Sequence, residues 1–138
     1  MIVVLSTYPD RKSAEETAQS LVEKELAACV SIVNIEQSVY RWKGKMEKSP
    51  EYLLIVKTTE KAYPQLETHI KNTHPHSVPE IIYLEVKGGQ RDYLDWVNES
   101  CNSSARLLRV PLDLSALKRA SDPPKEFKSA KKPKTLSW

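Results

Sequence analysis

Apolar residues in this chain alternate between two periods. Ile2-Val3-Val4-Leu5 is a short β-branched run ended by Tyr8-Pro9-Asp10, and it reads as a first strand over 2–7. Ala14, Ala18, Leu21, Val22 and Leu26 then recur at helical spacing. Asp10 is one candidate N-cap for that helix, and a Ser13-x-x-Glu16 capping box is the other. The run from Leu26 to Lys45 is the longest extended signal. Its part from Ala28 to Tyr40 would span roughly 40 Å as one strand, about twice the usual length. Tyr40-Arg41-Trp42-Lys43-Gly44-Lys45 breaks it, and a second strand follows over Glu51–Thr58. Tyr63, Leu66 and Ile70 predict a second helix over 60–73, with Pro64 tolerable only in its first turn and Pro75 ending it. A strand over 80–87 is ended by Gly88-Gly89. A third helix carries Tyr93, Leu94, Trp96, Val97 and Cys101. A short strand is expected over Arg106–Val110, and the Pro123-Pro124 and Lys-rich stretch beyond it reads as unstructured.

The order strand, helix, strand, strand, helix, strand predicts an α+β chain. Right-handed crossovers make its simplest closed form a four-stranded antiparallel sheet with both helices on one face, the ferredoxin-like arrangement. The other face would then lie bare. An antiparallel sheet with a wet face should alternate apolar and polar residues. Ile2-Val3-Val4-Leu5, Leu53-Leu54-Ile55-Val56 and Ile81-Ile82 do not alternate. The second face is therefore expected to be buried by another copy of the chain, and the overlong hairpin points the same way.

Composition refines this picture in two places. The net charge of +3 is divided unevenly: residues 118–138 carry seven basic and two acidic residues, and the rest carries 14 basic and 16 acidic. The body is mildly acidic and the basic character sits in the C-terminal stretch. We therefore expect a domain over 1–112 and a basic, partly disordered extension over 113–138. Two cysteines make no disulfide framework, and Met1-Ile2-Val3-Val4-Leu5 is too short for a signal peptide or a membrane span. Reduced thiols, a cytoplasmic location and no membrane insertion are the expectation.

Several short motifs occur together and in order: Glu23-Lys-Glu-Leu-Ala-Ala-Cys-Val30, Tyr40-Arg-Trp-Lys-Gly-Lys45, Lys57-Thr-Thr59, His74-Pro75, Pro79-Glu80-Ile81 and Tyr93-Leu94-x-Trp96. In these, over about residues 1–101, the chain resembles the CutA family of divalent-cation tolerance proteins. The resemblance implies a ferredoxin-like fold and a compact homotrimer whose long hairpins wrap neighbouring subunits. It also implies a non-enzymatic protein of metal-ion response, with copper or another divalent cation as its cargo.

The candidate metal ligands are His69, Cys101, Met46 and, foremost, His74, His76 and Cys29, since imidazole and thiolate suit copper or zinc. His74-Pro75-His76 sets two imidazoles on a stiffened turn, and a trimer would have to complete the site. Some family members carry Cys at the place of Ser6 and a second His at the place of Thr73, so a site built that way keeps only His74 here. The bland readings are that His74 caps its helix and that Cys29 and Cys101 act as small apolar residues. Tyr40, Trp42, Lys45, Lys57, Glu80, Tyr93 and Trp96 are expected to line an inter-subunit cleft. A Lys and a Glu in one site can hold a ligand, or simply pair across an interface. The cleft supports a second reading, a trimer binding a small molecule or a partner between subunits, by analogy with PII-like proteins.

Other classes are poorly supported. There is no GxSxG, HExxH, Walker A or CxxC motif, so an enzyme is not expected. Recognition of single-stranded RNA by this fold needs aromatics on central strands, and here those carry Val, Ile and Leu. No specific nucleic-acid binding is expected.

Overall fold

The structure is a computed structural model that describes residues 1–101. The expected strand over Arg106–Val110, the boundary at 112 and the extension over 113–138 lie outside the described residues.

Seven elements follow in order: β1 (Ile2–Tyr8), α1 (Arg11–Glu23), β2 (Cys29–Trp42), β3 (Lys45–Thr58), α2 (Tyr63–Thr73), β4 (Ile82–Glu85) and α3 (Arg91–Ser100). The strands form one antiparallel sheet in the order β2-β3-β1-β4. The α+β class and the four-stranded antiparallel sheet expected from the sequence are thus present.

Local chemistry sets the element ends. Asp10 is the N-cap of α1, its carboxylate accepting from the Ser13 N–H at 2.7 Å. That bond, before any other cause, holds the Asp10 carboxyl below its ordinary pKa. Glu25 takes a left-handed φ of 57°, which turns the chain sharply after α1. Between β2 and β3, Lys43 and Gly44 both have positive φ, 51° and 78°. That pattern is a two-residue I′ turn, whose twist matches the strands it joins. Pro64 sits in the first turn of α2, where its missing N–H costs nothing.

The hairpin is longer than the pattern predicted, because β3 begins at Lys45 rather than at Glu51. Its first half pairs only with β2 and stays exposed, so it carries no apolar signal to read. Pro50 lies opposite a bulge between Ile35 and Ser38, a place where a strand tolerates a missing N–H.

One face of the sheet is covered. Ile2, Val4 and Tyr8 of β1 and Leu54 and Val56 of β3 pack against Ala14, Ala18 and Leu21 of α1 and Leu66 and Ile70 of α2. Val22 is not part of this core. It is 42% exposed, and Thr17 is buried in α1 instead. Thr58 is fully buried, and its hydroxyl donates to the Leu26 carbonyl at 2.6 Å. The opposite face reads across β2, β3, β1 and β4 in three rows: Cys29, Lys57, Val3 and Leu84; Ser31, Ile55, Leu5 and Ile82; Val33, Leu53 and Thr7. Most of these side chains are apolar. Val33, Ile82 and Leu84 are 41%, 52% and 58% exposed in the single chain. Helix α3 packs at the end of the sheet where β2 begins. There Trp96 and Val97 join Ala28 in a second small core, with Met1, Cys29, Tyr93 and Cys101 against it.

Candidate functional site

The residues singled out from the sequence fall in four places. The first is the corner where α3 meets the start of β2. Cys29 stands beside Lys57 in the strand register, and the Lys57 ammonium donates to Ser31 Oγ at 2.8 Å. Tyr93 OH lies 3.8 Å from Cys29 Sγ, and its ring packs on Trp96 with centroids 5.6 Å apart. Burial is the main cause that pushes the Tyr93 phenol far up, with the nearby Cys29 adding to it. This corner brings together Lys57, Tyr93, Trp96 and Cys29 of the expected residues, and adds Ser31.

Tyr40, Trp42 and Lys45 form the second place, the hairpin tip. Lys45 and Lys57 lie at opposite ends of β3, roughly 40 Å apart at strand rise. One chain does not join the tip to the corner. Glu80, in the exposed loop before β4, is the third place.

The fourth is the turn after α2. His74 is half-buried, with its ring 4.3 Å from the Tyr8 ring. Its Nε2 lies 2.7 Å from the Thr7 carbonyl, which can only accept. Nε2 therefore carries the proton, and Nδ1 is free to accept from the His76 N–H at 2.9 Å. Both ring nitrogens are used within the protein. Burial foremost, and His76 after it, hold the His74 pKa below the ordinary value, against the pull of the Thr7 carbonyl. Cys29 aligns through Lys57 with Val3, four residues along β1 from Thr7. The three foremost candidate ligands do not converge within one chain. Among the described residues no three His, Cys, Asp or Glu side chains gather into a cation-sized group.

Two contacts were not legible in the sequence. His69 Nε2 lies 2.9 Å from Ser20 Oγ across the α1–α2 interface, and burial, then Lys24, lower its pKa. It borders an open hollow of about 520 Å³ together with Lys24, Gln65 and Asn72. The other is the contact of Cys101 Sγ with Thr58 Oγ1, at 3.6 Å, in the same corner as Cys29.

An antiparallel sheet covered on one side, with a bare apolar face and a projecting hairpin, defines an α+β protein. Comparison with known proteins then gives its family. A family model described as CutA1 divalent ion tolerance protein matches residues 2–100, and the chain belongs to that family. The divalent-cation tolerance protein CutA of Thermus thermophilus is 48% identical over 98 residues, 71% of this chain and 95% of that protein. Its solved structure superposes with a TM-score of 0.70, covering 72% of this chain and 98% of the other. Rice (Oryza sativa) Protein CutA 1, chloroplastic, is 43% identical over 103 residues, and the match spans 75% of this chain and 58% of the rice protein. Among the described residues no helix is long and apolar enough to cross a membrane.

Proposed function

We propose that the chain is a non-enzymatic, homotrimeric protein of divalent-cation tolerance, built from three ferredoxin-like units that bury their open sheet faces against one another. The observation that carries this is the apolar face made by Val3, Leu5, Val33, Leu53, Ile55, Ile82 and Leu84, which no element among the described residues covers. Contiguous apolar surface of this kind marks an interaction site. The hairpin supports the same reading. Its outer half exposes Val39, Tyr40, Trp42 and Met46, the kind of side chains that bury on a neighbour. In such a trimer the Tyr40, Trp42 and Lys45 of one subunit can approach the Lys57, Tyr93, Trp96 and Glu80 of the next, which makes the inter-subunit cleft. Two free thiols favour a reducing compartment, for which the cytoplasm is our proposal. Light scattering on the full chain tests the assembly: the expected mass is three times that of one chain, and a stable monomer refutes it.

The cargo has two readings. Copper held by His74, His76 and Cys29 would need donors from neighbouring subunits and the loss of two hydrogen bonds at His74. A small ligand in the cleft would find an ammonium, a phenol and an indole already grouped at the Lys57 corner, and this observation favours the second reading. Calorimetry with Cu(II) on a His74→Ala/His76→Ala variant separates them. Affinity equal to that of the unaltered chain makes these histidines structural. Loss of binding with the trimer intact makes them ligands.

A further inference from the structure

Helix α2 carries a polar stripe that the core does not use. Leu66 and Ile70 face the sheet and are fully buried. Gln65, Thr68, His69 and Asn72 recur at helical spacing and share another face. That face bounds the open hollow of about 520 Å³ beside the His69–Ser20 contact. A hollow of this volume is in the range that small-molecule sites occupy. Leu26 and Pro64 give its wall an apolar part, and Lys24 gives it an ammonium. None of the described residues that line it is an aspartate or a glutamate. Among the described residues, the side chains of Lys24, Gln65, Thr68 and Asn72 are engaged in no hydrogen bond or ion pair.

We propose that this hollow binds a small monocarboxylic acid, with its carboxylate on Lys24 and the α2 stripe and its apolar part on Leu26 and Pro64.

Charge decides the class of ligand. One ammonium balances one negative charge. A phosphate dianion would stay partly unbalanced, and no arginine lines the hollow to supply the forked donors that phosphate favours. The hydroxyl of Thr68 and the amides of Gln65 and Asn72 are neutral donors from which a carboxylate accepts. His69 is a donor of the same kind. Burial foremost, and Lys24 after it, lower its pKa, so the ring is neutral at pH 7. With Ser20 Oγ donating to Nε2, the ring proton sits on Nδ1. The imidazole then offers an N–H without adding a second full charge.

A neighbouring hollow shows why the ligand belongs at the Lys24 end. It measures about 370 Å³ and shares His69, but Asp10 and Glu16 line it together with Lys12. Two carboxylates against one ammonium repel an acid.

The site goes beyond the reading above and does not rest on it. It lies on the helix side of the sheet, opposite the apolar face that a trimer would close, and each chain holds its own.

The test follows the backbone amides of the full chain by NMR while hexanoate or benzoate is added. At least one of the two acids should give saturable shifts grouped at Lys24 and at residues 65–72. Benzamide has the shape of benzoate without its charge. It should bind about fivefold more weakly, as the loss of one exposed ion pair implies. Lys24→Gln should weaken benzoate by the same factor and leave benzamide unchanged. Lys12→Gln, in the neighbouring hollow, should change neither. Four results overturn the proposal: no saturable shift at α2 from either acid, benzamide binding as tightly as benzoate, inorganic phosphate saturating the same amides more tightly than either acid, or Lys12→Gln costing as much as Lys24→Gln. Shifts grouped instead at Cys29, Tyr93 and Trp96 would move the ligand to the cleft and overturn it as well. Should Lys24→Gln fail to fold, the comparison of benzoate with benzamide on the unaltered chain still decides. Light scattering of the same samples is read separately: a monomer that binds benzoate at α2 sinks the trimer and leaves this site standing.

Discussion

Replacing Ile55 by Asp distinguishes a bare sheet face from a buried one. Ile55 lies in the middle row of that face, between Ser31 and Leu5, with Ile82 beyond. In a single chain it is half-buried. Full burial of an isoleucine is worth roughly 1.5–3 kcal/mol, so in an isolated chain the substitution removes about 1 kcal/mol. For a folded unit of this size that lowers the melting temperature by about 4–8 °C. In a trimer the carboxylate enters a closed apolar interface. Its effective desolvation penalty is then several kcal/mol, and it recurs in each of three subunits. The sum, on the order of 10 kcal/mol or more per assembly, rivals the whole stability of an ordinary domain. The variant should then be unfolded or aggregated, with no folded monomer released. Circular dichroism melts and light scattering at one protein concentration make the measurement, because the stability of an obligate oligomer depends on concentration. Lys12→Asp, on the exposed side of α1, is the control and should change neither quantity. A well-folded Ile55→Asp monomer melting within about 8 °C of the unaltered chain would refute the reasoning.

Two further outcomes follow from the covered side. Thr58→Val leaves the Leu26 carbonyl without its buried donor and should cost about 1–3 kcal/mol in urea unfolding; a change below about 0.5 kcal/mol would show that the 2.6 Å bond contributes little. The lowered His74 pKa means that folding favours neutral imidazole, so the stability it contributes is complete above the unfolded value of about 6.5 and is lost as pH falls from there through the lower folded value. Proton NMR titration should place the His74 midpoint below 6.5, with a His69→Gln variant separating the second lowered histidine, and a midpoint at or above 6.5 contradicts burial as the dominant influence on His74.

Much of the fold was legible because burial writes a pattern. The apolar runs at Ile2–Leu5 and Leu53–Val56 announced strands that are apolar on both faces, and Asp10, Pro64 and Gly44 marked turns that the backbone then took. The outer half of the hairpin was half legible. Its β2 side carried a β-branched run, but Lys45, Glu47 and Lys48 of β3 face water in a single chain and carry no period. Val22 misled for the opposite reason. It keeps helical spacing with the core residues, yet it sits at the margin of the buried stripe and points outward. Spacing alone cannot set the width of that stripe.

The site was less legible because ligand geometry depends on which atoms are already spoken for. The sequence shows His74-Pro75-His76 as two imidazoles on a rigid turn, which suits a metal as well as it suits a cap. Only the three-dimensional arrangement shows the Thr7 carbonyl, four residues along β1 from Val3 at the Cys29 end, accepting a hydrogen bond from Nε2. The His76 N–H then occupies Nδ1, so a metal must displace a satisfied network rather than enter a vacant one. The sulfurs present the reverse case. Met1, Cys29 and Cys101 are separated by most of the domain in sequence and make no motif. The sheet order, with β1 beside β3 and β3 beside β2, brings the first two to one end, and α3 returns the third. A cluster assembled by topology in this way leaves no local spacing to detect, whereas chemistry suggested by local spacing can be consumed by the fold itself.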